Sequence, residues 1–549
     1  MDSHPVDESS GEQSPRSEPM VSFENLVALA NYQERIKGAR KILWRDKGQP
    51  VADLATLGEC VNHAATGGLR SATLAFNIRA TFNILLALLK MRKAPRSQWL
   101  ALIRHAIVGS DSFRFAAMLG TFAALYKFLI NALPILVPAM QPPRHDLPPA
   151  FAEDDEDSDS SSDPGLMTPG LHPRRTPRLS LSAHAQMVLV RKRTSRWHSA
   201  LAGAVSGGLA VLWEKQSRRT VFAQQVFVRG LQGTYNSFSD KWGFSIPYGA
   251  VIVFSLSCGQ IMYAFFLRPD TLPRSYVNWI QAASRAPPDV FKLNIKAVRE
   301  HVMDVPLLDR IIAMPEVTSR NLPTLLALRE RAVAGAPDLP HYLPCYGLHP
   351  DVNNCWAAAL TKFTRSARWM LPIYSALHFL PAILFRWKML RADPAHVLGR
   401  ASVGSMRSSA FLGAFVVLCQ AVFCIKHALY ERIMAAPLSS PLRRLLPQRL
   451  INVLIFRYTW WLCGLSTGLA LLIEDERRRA ELAMYVLPKG LESLWVAARG
   501  QGLVRSTGNW GEVALTGLGM GMVMTIYQND PQHLSGLIRK VLYQFIGPN

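Results

Sequence analysis

Catalytic signatures are scarce in this sequence of 549 residues. It has no phosphate-binding Gly-Lys-Ser/Thr loop and no His-Glu-x-x-His motif. Its 7 cysteines lie mostly in apolar stretches, so they indicate a reducing compartment rather than a disulfide framework. Residues 1–19 are acidic and polar, unlike a cleavable signal peptide or an Arg-rich presequence. We therefore expect a protein that is not an enzyme and needs no cofactor; a membrane enzyme acting on acyl lipids is the less favoured alternative.

Acidic residues are also few relative to basic ones. The chain has 39 Asp and Glu against 61 Lys and Arg, which gives a formal net charge of +22. Such an excess can indicate nucleic-acid binding, but the basic residues cluster beside apolar segments, as in 477–479. Clusters in that position contact lipid headgroups or set membrane topology. We therefore expect the lipid bilayer, and not nucleic acid, as the partner.

Apolar residues make up 49% of the chain and occur in long segments. A helix needs about 20 such residues to cross about 30 Å of hydrocarbon. The candidate spans are 71–91, 113–140, 197–213, 246–267, 366–389, 406–430, 456–473 and 511–527. The sequence also suggests two further helices, at 221–235 and 481–497. The pattern predicts an all-α, polytopic helical membrane bundle with about eight to ten embedded segments; a large soluble all-α protein is the alternative.

One run of residues occurs twice, about 260 positions apart. The window 208–231 has eleven identities with its later counterpart, beginning with Gly208-Leu209-Ala210 and Gly468-Leu469-Ala470. A second block matches around Gly120 and Gly413. The sequence therefore predicts two related repeats. Whether the repeats are parallel or inverted is left open by their sequences.

The repeats and the polar segments between them define the predicted domains. These are a disordered tail (1–19), an amphipathic region (20–59), membrane repeat 1 (60–284) with a disordered acidic and basic insert (141–196), a polar connector (285–344) and membrane repeat 2 (345–549). The connector carries helical patterns at 288–303 and 322–334. We expect protein partners to dock on the insert and the connector, and the sequence leaves the oligomeric state open.

Small residues four positions apart recur in the apolar segments of both repeats. The pattern comprises Gly203, Gly207, Gly208, Gly464, Gly468, Gly517 and Gly521. Small residues at this spacing let helices approach closely in lipid. We expect them to mediate helix packing within one bundle, with a dedicated dimerisation face as the alternative.

Charged and polar residues inside or beside the apolar segments form two further groups. Glu214 with Arg218, and Glu474 with Arg478, have the spacing of ion pairs at equivalent helix ends; gating or partner binding is the alternative role. The other group is Arg79, Lys127 and Gln420. Ionisable groups within a span are costly, so this group is a candidate polar pathway.

Three potential metal ligands precede Trp356. Cys345, His349 and Cys355 could supply thiolate and imidazole groups to zinc. Their spacing is not that of a standard zinc module, and no fourth ligand is obvious. A capped turn at the start of a helix is the favoured interpretation, and the first repeat has Cys60 and His63 at the equivalent place.

Several of these motifs together resemble a known family. They are the Cys345…His349-Pro350…Cys355-Trp356 loop, Gly468-Leu469-Ala470, Ile526-Tyr527-Gln528-Asn529-Asp530-Pro531 and Leu534…Arg539-Lys540-Val541-Leu542-Tyr543. They are similar to the transmembrane protein 135 family, most closely its fungal branch, over roughly 50–280 and 345–549. The glycine-containing helices also resemble, over a shorter stretch, mitochondrial inner-membrane translocase channel subunits.

The family resemblance implies a location and a function. It implies a multi-pass protein of mitochondrial or peroxisomal membranes that affects organelle dynamics and lipid homeostasis. A carrier or pore for lipid-derived metabolites or proteins is the alternative. The sequence departs from the family in its acidic segment at 153–163 and in lacking a second cysteine near His63.

Overall fold

The computed structural model describes residues 54, 56–91, 95–137, 195–337, 339–385, 387–437, 443, 445–508 and 510–546. In this part of the chain all regular secondary structure is helical and no strand occurs, which confirms the all-α prediction. The predicted tail, nearly all of the amphipathic region and nearly all of the insert lie outside the described residues.

Ten α-helices lie between residues 57 and 333 of the described chain. They are α1 Leu57–Met91, α2 Trp99–Val108, α3 Ser110–Leu136, α4 Arg196–Ala210, α5 Gln216–Trp242, α6 Gly249–Leu267, α7 Arg274–Ser284, α8 Pro288–Arg299, α9 Val305–Ile312 and α10 Asn321–Val333. The later helices are α11 Cys345–Leu348, α12 Cys355–Phe385, α13 Trp387–Ala392, α14 Pro394–Ala435, α15 Gln448–Val453, α16 Trp460–Ser466, α17 Glu476–Gly500, α18 Trp510–Asn529 and α19 Gly536–Ile546.

Four helical stretches of the described chain are long and apolar enough to cross a membrane. They are Leu57–Leu88, Trp99–Leu136, Gly249–Leu267 and Pro394–Ala435. Each coincides largely with a predicted span: 71–91, 113–140, 246–267 and 406–430. The fold is therefore compatible with an integral membrane protein.

The other predicted spans are not among these four stretches. At 197–213, α4 has only 15 residues and passes into a 3₁₀ turn. At 1.5 Å per residue, α4 is about 22 Å long, shorter than the hydrocarbon layer. At 456–473, α16 is followed by a 3₁₀ segment, Thr467–Ile473. The segments 366–389 and 511–527 lie mostly on α12, which contains two prolines, and on α18.

The described chain divides into two compact units. Unit 1 comprises residues 1–215 and 524–549, and unit 2 comprises residues 216–523. These boundaries follow packing, whereas the predicted domains follow sequence likeness, so the two divisions differ. The last part of the chain, including α19, belongs to the unit that contains α1.

Unit 1 is built around an antiparallel pair, α1 and α3. A Cβ at Gly68 would lie 2.7 Å from Ala124, near one end of the pair. Near the other end, the Asn83 amide donates to the Ser112 hydroxyl at 3.2 Å. Helix α4 packs on α3, and α19 packs on α1 and α3.

Unit 2 contains a second antiparallel pair, α12 and α14. Gly413 lies against Phe363, and Gly404 lies against His378. Helix α6 packs on α16 and α17, and α7 packs on α12. The core of this unit is aromatic, with Phe254, Phe423 and Trp460 all at most 2% exposed.

The predicted polar connector contains a small helical cluster within unit 2. Helices α8 and α10 confirm the patterns at 288–303 and 322–334, and α9 lies between them. Asp304 caps α9 by accepting a hydrogen bond from the Leu307 amide at 2.9 Å. The helices bury an apolar cluster of their own, which includes Leu293 and Leu308.

Corresponding elements recur at a nearly constant separation along the chain. Helix α5 begins at Gln216 and α17 begins at Glu476, about 260 positions later. The residues that precede them, Glu214 and Glu474, have φ −77° with ψ 153° and φ −78° with ψ 157°. Further along, α7 and α19 have 11 residues each and both follow a 3₁₀ turn.

Candidate metal centre and buried polar sites

Four potential metal ligands meet in unit 2. The ligand atoms of Cys345, His349, Cys355 and Cys424 all lie within 4.8 Å of one another. His349 and Cys424 are buried, and the other two thiols are half-buried. We call these four residues the thiol–imidazole cluster.

Local chain geometry places three members of the cluster. Pro344 precedes α11, where the His349 amide closes a turn on the Cys345 carbonyl at 3.0 Å. Asn354 caps the start of α12, since its side chain accepts from the Ala357 amide at 2.7 Å. The predicted capped turn is therefore present, and it directs Cys355 toward His349.

Hydrogen bonds set the protonation of the cluster. The His349 Nδ1 atom lies 3.1 Å from the Val352 carbonyl oxygen, and the Nε2 atom lies 3.5 Å from the Cys355 Sγ atom. Because a carbonyl oxygen only accepts, Nδ1 carries a proton and donates to Val352, while the Nε2 atom faces the thiols.

The pKa values of the cluster move in different directions. Hydrogen bonding to Cys424 and His349 lowers the pKa of the Cys345 thiol despite its burial. Burial, reinforced by the charge of Cys345, raises the pKa of Cys355. Although burial disfavours the charged ring, hydrogen bonds to Cys345 and Val352 raise the pKa of His349. The cluster therefore concentrates thiolate character on Cys345.

The fourth member, Cys424, was missed by sequence reasoning. It lies inside α14, in an apolar stretch where a cysteine reads as an ordinary buried residue. Only the packing of α11 and the start of α12 against α14 shows that it meets the other three. No spacing rule in the sequence could have linked it to Cys345.

A partly buried ionic network surrounds the second predicted ion pair. Arg478 lies 2.8 Å from the Glu474 carboxylate, as the spacing predicts. Arg478 also donates to the His378 Nε2 atom at 2.9 Å and to Ser408 at 3.1 Å, and Ser408 donates to Glu474 at 2.8 Å. The network thus connects α12, α14 and α17.

Glu214, which the sequence predicts to be the equivalent residue, is also buried, at 6% exposed, and its carboxylate accepts from the Lys215 amide at 2.9 Å. Lys215 in turn lies 2.5 Å from Asp111. The two glutamates therefore share backbone geometry and burial.

The residues of the candidate polar pathway lie in different places. Lys127 is buried in unit 1, with its ammonium 3.3 Å from the His63 Nε2 atom. Arg79 lies 4.0 Å from Asp111, and Asp111 and Lys127 are separated by about 24 Å along α3 at 1.5 Å per residue. Gln420 belongs to unit 2. The structure therefore does not bring Arg79 and Lys127 together.

A further buried cation that sequence reasoning left out of the pathway lies in unit 2. The Lys426 ammonium is 4.2 Å from the ring centroid of Trp460 and donates to the Thr459 hydroxyl at 3.3 Å. The aromatic face and the hydroxyl together stabilise a charge that the apolar core would otherwise disfavour.

The predicted packing glycines are buried. Gly203, Gly207 and Gly208 lie on α4, and Gly517 and Gly521 lie on α18. A Cβ at Gly464 would lie 2.2 Å from the Cys258 carbonyl oxygen, and one at Gly468 would collide with Ser255. In unit 2, at least, these glycines permit close packing within one chain.

One serine has a sequence pattern found in hydrolases. Ser466 lies in Gly464-Leu465-Ser466-Thr467-Gly468, which matches the Gly-x-Ser-x-Gly spacing. A nucleophile elbow needs a strand-to-helix turn, but Ser466 ends α16 and its hydroxyl donates to the Cys463 and Leu418 carbonyls at 2.9 and 3.3 Å. The geometry is that of a helix residue, not of an elbow.

A cavity of about 700 Å³ opens between the connector and α12. Arg285, Lys362, Arg365 and Asp351 are among its lining residues. The Lys362 ammonium donates to the Arg285 carbonyl at 3.0 Å, and burial lowers the pKa of this lysine. Arg365 is neutralised by Asp351 at 2.6 Å.

Comparisons with protein-family models, with curated proteins and with solved structures find no match to this chain. The resemblance to the transmembrane protein 135 family therefore stays a prediction that depends on the motifs quoted above.

Proposed function

We propose that the chain is a non-enzymatic, multi-pass protein of mitochondrial or peroxisomal membranes that affects organelle dynamics and lipid homeostasis. The observation that carries the membrane part is an inverted distribution of polarity on the candidate spans. On α14, Val403, Met406 and Ile425 are at least 60% exposed, whereas Ser408 and Lys426 are buried. A soluble helix has the opposite pattern, because exposed apolar surface is unfavourable in water and favourable in lipid.

The same inversion occurs on α1 in unit 1. Leu69 is 72% exposed, and Phe82 and Leu85 are exposed as well. Ser71, in contrast, is fully buried and donates to the Leu119 carbonyl at 3.1 Å. Hydrogen bonds that face inward and apolar side chains that face outward are what a bilayer requires.

The proposal includes a fold of two repeats with about eight to ten embedded segments. It is supported by the recurring series of elements after Gly208 and Gly468 and by the matching backbone geometry of Glu214 and Glu474. Packing supports it too: α19 lies on α1 in unit 1, and its counterpart α7 lies on α12 in unit 2. In this arrangement each repeat ends on the hairpin that begins the other.

The organelle and the process come from the family resemblance alone, so they need a direct test. A tagged chain should cofractionate with mitochondrial or peroxisomal markers, and its deletion should change organelle length or number. Residence only in the endoplasmic reticulum or plasma membrane would contradict this part of the proposal. Partner recruitment through 141–196 and 285–344 is tested by deleting each segment and scoring rescue of the same morphology.

A carrier or pore for lipid-derived metabolites or proteins is the second candidate. The observation that favours it is the contact between Lys127 and His63, which lie on two different candidate spans. Ionisable groups inside a span are costly, so they indicate a functional site. Proteoliposomes containing the full chain should take up a fatty acid or an acylcarnitine. Lys127→Leu and Gln420→Leu should lower that uptake at least tenfold, with the exposed Lys292→Leu as control. Unchanged uptake in both variants would exclude a pathway at these residues.

A further inference from the structure

We propose that Cys345, His349, Cys355 and Cys424 bind one structural Zn²⁺ ion. This inference concerns the stability of unit 2 and does not depend on the proposed function. It would hold equally for a carrier or for a recruitment protein.

The composition and spacing of the cluster fit zinc. Three thiolates and one imidazole form a common structural zinc set, with Zn–S near 2.3 Å and Zn–N near 2.0–2.1 Å. In a tetrahedron those bond lengths place ligand atoms about 3.5–3.8 Å apart. The Cys355 Sγ and His349 Nε2 atoms are already 3.5 Å apart, and all four ligand atoms lie within 4.8 Å of one another. Small side-chain movements therefore suffice to close the site.

The histidine is oriented as a zinc ligand. Metal-binding histidines usually donate their other ring N–H to a carbonyl or carboxylate, which fixes the tautomer. Here the Val352 carbonyl lies 3.1 Å from the Nδ1 atom, and the Nε2 atom faces the thiols. A histidine that served only as a helix cap would not need this second contact.

Burial indicates a structural and not a catalytic role. His349 is 3% exposed and Cys424 is 4% exposed, so solvent has little access to the ion from their side. The cluster supplies four protein ligands, and a catalytic zinc keeps one position for water or substrate. The half-buried Cys345 and Cys355 provide access for the ion.

The ion would join segments that are distant in sequence. Cys345 begins α11, directly after the connector cluster, Cys355 begins α12, and Cys424 lies inside α14. Because such a site forms only in the folded chain, the free energy of binding contributes to folding. The zinc would thus fasten the connector to the α12–α14 pair.

The test measures metal in the full-length chain, purified in detergent without a metal-affinity tag. Elemental mass spectrometry should find about one zinc per chain. Cys424→Ser and His349→Ala should lower this to near zero. Cys419→Ser is the matched control, since Cys419 lies on the same helix, is 4% exposed and is outside the cluster. It should keep the zinc.

A second measurement separates loss of ligand from loss of fold. His349→Cys supplies a four-thiolate set and should retain zinc, and Co²⁺ added to the zinc-free chain should give the visible absorption of a tetrahedral thiolate complex. If Cys424→Ser does not fold, chelation of zinc from the wild-type protein tests whether the ion stabilises the fold. Chelation should lower its melting temperature, and zinc should restore it.

Three results would overturn the proposal. They are wild-type protein without stoichiometric metal, zinc retained in both Cys424→Ser and His349→Ala, and a disulfide among the three cysteines in the untreated protein.

Discussion

The two antiparallel helix pairs, α1–α3 in unit 1 and α12–α14 in unit 2, solve the same packing problem with different polar chemistry. Both cross where a glycine permits close approach, Gly120 in the first pair and Gly413 in the second. Both bury polar side chains on their inner faces. The first encloses Lys127 beside His63, whereas the second ends at the thiol–imidazole cluster.

The two pairs differ in the number of potential metal ligands that they bring together. When Gly120 is aligned with Gly413, Asn131 aligns with Cys424. The Asn131 side-chain amide donates to the Lys127 carbonyl at 2.7 Å. The segment that carries Cys345 and His349 precedes the second pair only, among the described residues. The first pair contains one cysteine, Cys60, and a single thiolate does not make a structural metal site.

The largest expected effect on stability comes from the thiol–imidazole cluster. Removing zinc, or replacing Cys424 by Ser, should lower the free energy of unfolding of the chain by more than about 4 kcal/mol, because a metal cross-link is lost. Chemical denaturation in detergent measures it. Cys60→Ser, at the cysteine of the α1–α3 pair in unit 1, should cost less than about 1 kcal/mol and leave the zinc content unchanged. Equal losses in the two variants would contradict the assignment of metal to one pair.

The next effect concerns the buried glutamates. Glu474→Ala should cost about 3 kcal/mol, since it removes the acceptor of Ser408 and the partner of Arg478. Glu214→Ala should cost a similar amount if the two positions are equivalent. The exposed Glu476→Ala serves as control and should change stability by less than about 0.5 kcal/mol. A harmless Glu214→Ala together with a severe Glu474→Ala would contradict the predicted equivalence of the two repeats.

Glycine substitutions give a smaller effect. Gly464→Ala should cost about 2 kcal/mol, because the added methyl meets the Cys258 carbonyl, which cannot rotate away. Gly399→Ala, on α14 with nothing within 4 Å of the new Cβ, should be neutral or stabilise by up to about 1 kcal/mol. Melting temperatures of the two variants in the same detergent provide the comparison. A stable Gly464→Ala protein would show that the close approach is not required.

The smallest effect is expected at Lys127. Lys127→Leu should change the free energy of unfolding by less than about 1 kcal/mol, because Leu has a similar volume and removes the cost of burying a charge, which offsets the lost contact with His63. A loss above about 3 kcal/mol would indicate that the contact with His63 is structural and would weaken the carrier alternative.

Much of the helical architecture was predictable from the sequence, because apolar periodicity is a local property. The helices at 221–235 and 481–497 are present and extend further, as α5 and α17. The local apolar pattern did not predict the change from α-helix to 3₁₀ geometry after Ser466, in the segment where Gly468 packs closely against Ser255.

The candidate site was predictable only in part. Cys345, His349 and Cys355 lie within one short segment, so the sequence could group them. Cys424 joins them through packing of α14, a long-range contact that local pattern does not encode. The Glu474–Arg478 pair follows from helical spacing, but His378 and Ser408 enter its network from two other helices.

The central claim is that the outward apolar faces of α1 and α14 contact lipid. Alkaline carbonate extraction of membranes from cells that express the tagged full-length chain tests it most directly. The account predicts that the protein stays in the carbonate-resistant pellet together with mitochondrial or peroxisomal integral markers. Release into the supernatant with peripheral proteins would contradict it.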